Sequence, residues 1–74
     1  MPKLPILSGA ELIRILERHG YEQVRVRGSH VRLYPSVPTS GLKKVTVPLH
    51  KEIRPGTLLS IMRDAGLGVE DVDD

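Results

Sequence analysis

Seventy-four residues with no cysteine, tryptophan or phenylalanine exclude a disulfide framework, a thiolate metal site and a second core. The formal charge of +2 hides an asymmetry: Glu70, Asp71, Asp73 and Asp74 crowd the C-terminus, so eleven basic side chains face only five of the nine acidic ones upstream. A basic body of this kind suits an anionic partner, nucleic acid before others, or else an ordinary solvated surface.

The chain reads as a single domain over residues 1–74, with its core at about residues 6–68 and an acidic tail at about residues 69–74. Met1 to Leu7 holds two prolines and no apolar run fit for a leader or a membrane span, so the expected location is cytoplasmic. Ser8-Gly9-Ala10-Glu11 has the form of a capping box, with Leu7 and Leu12 at the staple positions around it. Leu12, Ile13, Ile15, Leu16 and His19 follow helical spacing, and Gly20 suits a left-handed stop, which predicts a helix over about residues 9–19. His19 falls at the end of that helix, where a cation complements the dipole, and a structural role is expected for it.

Alternation predicts strands at about residues 22–27 and 30–34, with Tyr21 packed under the helix. Pro35 to Gly41 holds two prolines and a glycine and is expected to lack regular structure. Lys43 to Val47 resumes the alternation, with Val45 and Val47 inward and Lys44 and Thr46 outward, until Pro48 stops it. Pro55 is pre-organised for a first helical turn. Leu58, Leu59, Ile61, Met62 and Ala65 should then line one side of a second helix closed by Gly66, and Val69 to Val72 leaves room for one more turn. The fold class is α+β: two helices over one face of a three-stranded antiparallel sheet, in the order of a double-stranded-RNA-binding domain.

The first two strands are joined by Gly28-Ser29, and a Gly-X pair suits a type II′ turn because glycine supplies the positive φ. These two residues are assigned to shaping the turn. That turn pairs Arg27 with His30, Val26 with Val31, Arg25 with Arg32 and Val24 with Leu33. Val24, Val26, Val31 and Leu33 would then enter the core, leaving Arg25, Arg27, His30 and Arg32 on the opposite face with Lys44 beyond them. Directly opposed like charges cost stability, so this face suggests an anion, and a phosphate-handling site is expected. A solubilising outer face would use the same residues.

Several segments, taken together, resemble the HicA toxin family. They are Ser8-Gly9 before a helix ending in His19-Gly20-Tyr21, then Arg27-Gly28-Ser29-His30, Val45-Thr46-Val47-Pro48-Leu49-His50, Arg54-Pro55-Gly56-Thr57-Leu58 and Ile61 to Leu67. The likeness implies a type II toxin–antitoxin toxin: an endoribonuclease, or mRNA interferase, that cleaves mRNA and is held inactive by a HicB-like antitoxin. It further implies that His30, in the Gly-Ser-His segment, is the catalytic histidine. The stretch from Pro35 to Gly41 is longer and richer in proline than the usual turn of that family.

The chemistry of the residues agrees with that implication. Imidazole titrates near neutrality and can serve as base or acid, while guanidinium groups offer planar donors to a phosphorane. Arg25, Arg27, Arg32 and Lys44 are the candidate phosphate ligands, and His50 is a candidate second acid or base whose other reading is a polar anchor for its loop. Scattered histidines without cysteine make a metal site or other cofactor unexpected. With Tyr21 and Tyr34 the only aromatic residues, recognition through backbone and shape is expected over an extended stacking platform, though Tyr34 shares the His30 face and could touch a base. Two other functions remain open: a non-catalytic RNA-binding module, and an interaction domain for an acidic protein.

Overall fold

The capping box forms and starts the first helix. In the computed structural model, which describes residues 4–72, helix α1 runs over Gly9–Arg18. The Ser8 hydroxyl accepts the Glu11 N–H at 3.1 Å, and the Ser8 N–H donates to the Glu11 carboxylate at 2.9 Å. Hydrogen bonding from the Ser8 backbone, then its hydroxyl, holds the Glu11 carboxyl below its usual value. A lowered acid stabilises the fold above its unfolded-state value, and that contribution is lost as pH falls through the folded one. Ser8→Ala is expected to cost about 1 kcal/mol in thermal unfolding at neutral pH; an unchanged melting temperature would show the box to be idle.

Strands β1 (Tyr21–Arg27), β2 (His30–Pro35) and β3 (Val45–Pro48) form one antiparallel sheet in that spatial order. A short 3-10 turn, Pro38–Ser40, interrupts the connection before β3. Helix α2 (Pro55–Ala65) follows, with Pro55 at its start and Gly66 closing it at φ 69°. A final turn, α3 (Val69–Val72), ends the described chain. The expected order of helix, three strands and helix is therefore present.

The core is one-sided. Leu12, Ile13, Ile15 and Leu16 of α1 and Leu58, Ile61, Met62 and Ala65 of α2 are buried. They cover Val31, Leu33, Val45 and Val47 of the sheet, whose alternate residues Arg32 and Thr46 stay exposed. Each inward valine or leucine faces another across β2 and β3, Val31 against Val47 and Leu33 against Val45, which are the packed pairs that stabilise a sheet. Tyr21 is buried as expected, and its hydroxyl donates to the Lys43 carbonyl. Burial, then the nearby Asp64 charge, raises its pKa.

Several expectations are corrected. Alternation expects Val24 and Val26 in the core, yet they are 49% and 60% exposed. Arg25, Val26 and Arg27 pair as expected, but Gln23 rather than Val24 stands opposite Leu33, because a β-bulge inserts Val24 as an extra residue. Val26 does share the inner side with Val31, but β1 is an edge strand. Helix α1 meets it at the other end, where Gln23 bonds Glu17 at 3.3 Å. Leu59 is 51% exposed, at the margin of the α2 stripe. The connection after β2 is not wholly irregular, since Pro35 ends β2 and Pro38–Ser40 turn.

The acidic segment is folded in part. Val72 is fully buried, Asp71 accepts the Gly68 N–H at 2.7 Å, and its other oxygen lies 3.5 Å from His19 Nε2. The Nδ1 atom of His19 sits 2.9 Å from the Ile15 carbonyl, so His19 ties α1 to α3, the structural role expected of it. The expectations for Met1 to Lys3 and for Asp73 and Asp74 lie outside the described residues. Among the described residues no helix is long and apolar enough to cross a membrane.

Candidate nucleic-acid interface

The turn at Gly28-Ser29 decides which side chains meet. Gly28 has φ 59° and Ser29 has no positive φ, so only the first central residue of the turn is left-handed, as type II′ requires. That register sets Arg27 opposite His30 and Arg25 opposite Arg32. On the other flank of β2, Pro48 faces His30 and Thr46 faces Arg32. Side chains directly opposed on one face have Cβ atoms about 5 Å apart, so these are immediate neighbours. Arg25, Arg27, His30, Arg32 and Thr46 together line a half-open depression of about 400 Å³.

The electrostatics of this hollow are one-signed. Among the described residues no acidic side chain pairs with Arg25, Arg27 or Arg32. Arg25 and Arg32 stand directly opposite each other, and like charges so placed cost stability. An ordinary solvated strand face avoids this by alternating sign; an anion-binding face does not. Bidentate guanidinium groups from two strands match the non-bridging oxygens of a phosphate.

Backbone contacts fix the His30 end of the sheet. The Ser29 carbonyl accepts the Leu49 N–H at 2.6 Å, and the His50 carbonyl accepts the Gly9 N–H at 2.9 Å. A Cβ built on Gly9 would lie 2.2 Å from the Pro48 carbonyl oxygen and 2.9 Å from the Leu49 Cα. Three separated stretches, Ser8-Gly9, Gly28-Ser29 and Pro48 to His50, therefore converge on one corner. The packing role of Gly9 escapes sequence reasoning, because only the fold brings β3 against the start of α1. Thr46 is likewise missed as a lining residue, since its place depends on the register of β2 and β3.

The remaining candidates are spread more widely. His50 is exposed and does not line the depression; its backbone anchors α1. Lys44 precedes β3 and sits by Tyr34, its Nζ 5.7 Å from the ring centroid, while also lining a groove between β3 and α2. Gly28 and Ser29 form the turn itself. No group of three or more His, Cys, Asp or Glu side chains is gathered to hold a metal among the described residues.

Comparison with known proteins adds one finding. No curated protein and no solved structure shows significant similarity to the chain. A family model described as the HicA toxin of bacterial toxin–antitoxin systems matches residues 9–67, a span that holds α1, the whole sheet and α2. With that much of its length matched, the chain belongs to the HicA toxin family.

Proposed function

We propose that this protein is the toxin of a type II toxin–antitoxin pair and acts as a metal-independent endoribonuclease on mRNA in the cytoplasm. The observation that carries the reading is the hollow that Arg25, Arg27 and Arg32 line around His30, with no acidic side chain in its lining. Arg25, Arg27 and Arg32 hold the phosphodiester. His30 takes the proton from the adjacent ribose 2′-OH, whose oxygen then bonds to phosphorus. The arginines balance the charge that builds on the phosphorane, and the bond to the 5′-oxygen breaks as that oxygen is protonated. Water supplies this last proton. The partner is a HicB-like antitoxin that inhibits by covering the same face.

The opposed arginines separate this reading from a merely solvated face. Arg25→Gln relieves the repulsion with Arg32, so the melting temperature should stay level or rise slightly. RNA affinity should fall, and the slope of log affinity against log salt should shrink by about one. Unchanged RNA binding and salt slope in this variant would remove the phosphate role and favour an interaction domain. Salt-sensitive binding by freshly purified wild type without any RNA product would favour a non-catalytic RNA-binding module.

A further inference from the structure

Outward side chains cross the sheet in rows, and the third row differs from the first two. Arg27 and His30 form one row and Arg25 with Arg32 the next. In the third, Glu22 stands opposite Tyr34, and Lys44 approaches the Tyr34 ring from the β3 side. The bulge brings Val24 to this same place. Val24, Arg25, Arg32 and Tyr34 line a hollow of about 280 Å³, next to the first, with Arg25 and Arg32 lining both.

This corner is less suited to a phosphate than the first two rows. Glu22 offsets the charge of Lys44 in this row, and Val24 and Tyr34, 49% and 38% exposed, offer apolar surface. A nucleobase has the opposite needs: a flat apolar face to stack and edge N–H groups that a carboxylate accepts. We infer that the third row is a nucleobase subsite, in which one unpaired base of the RNA stacks on Tyr34 against Val24. The phosphate of that nucleotide lies on Arg25 and Arg32. The inference rests on the RNA reading above and assigns to it a single-stranded substrate with one base held beside the cleavage hollow.

The test compares two uncleavable 2′-fluoro RNA octamers, one with its bases and one abasic throughout, by fluorescence anisotropy at several salt concentrations. Wild type is expected to bind the base-bearing octamer roughly tenfold more tightly, the scale of one stacked base. Tyr34→Ala should abolish that preference while keeping the salt slope, and Tyr34→Phe should retain it. Equal binding of both octamers by wild type with a steep salt slope would overturn the subsite and leave the phosphate reading standing. A preference that survives Tyr34→Ala would also overturn it, and failure to bind either octamer would overturn the RNA reading with it.

Discussion

His30→Ala is expected to lower RNA cleavage by at least roughly 100-fold, the lower range for a lost acid–base group, while RNA affinity and folding stay near wild type. The separation follows from where the ring sits. His30 is exposed at the start of β2, outside the core, so its loss leaves no cavity, and surface changes of this kind stay within about 0.5 kcal/mol. Affinity resides in the arginines, which the substitution does not touch. His50→Ala, by contrast, should retain most of the activity, because His50 does not line the hollow. Matched cleavage, binding and melting measurements on the two variants, with growth arrest on induction as a cellular readout, distinguish the roles. Equal losses in both would move the chemistry away from the hollow.

Gly9→Ala is expected to be the most damaging of the glycine-to-alanine changes. The added carbon would lie 2.2 Å from the Pro48 carbonyl oxygen. Its nearest neighbours are all backbone atoms, so no flexible side chain can swing aside. The start of α1 must lift, breaking the Gly9 N–H bond to the His50 carbonyl. Overpacking of this sort costs about 1–3 kcal/mol or more, against a total of roughly 4–11 kcal/mol for a chain of this length. At about 4–8 °C per kcal/mol for a small domain, a fall in melting temperature on the order of 10–20 °C follows. Pro48 pairs with His30, so cleavage should decline as well. Gly56→Ala is the control: a Cβ there meets nothing within 4 Å, and its melting temperature should hold or rise. A Gly9→Ala protein as stable as wild type would contradict the close approach.

The sequence made the hairpin legible because its turn is local. A Gly-X pair between alternating residues sets the register at Arg27 and His30, and the outward face of β2 follows from alternation. The helices were legible for the same reason: a capping box, a proline at the second start and glycines at the ends are short-range signals. Val24 departs from simple alternation because of the bulge at Gln23 to Arg25, which has no glycine or proline to announce it. From there toward Tyr21, every residue of β1 shifts by one relative to its partner. Leu59 neighbours Leu58 but sits at the edge of the buried stripe, where apolar spacing alone does not separate the two. Gly9 against Pro48, and the row of Glu22, Tyr34 and Lys44, depend on contacts between distant segments, which periodicity does not encode.

The decisive measurement follows one mRNA transcript and a copy in which fluorine replaces every 2′-hydroxyl, both incubated with wild-type protein and a strong chelator. Attack by the ribose hydroxyl under an imidazole base, with guanidinium groups in place of a metal, predicts fragments from the natural transcript and an intact fluorinated copy that is still bound. Natural RNA left whole, or a fluorinated copy cut at the same rate, would contradict the account.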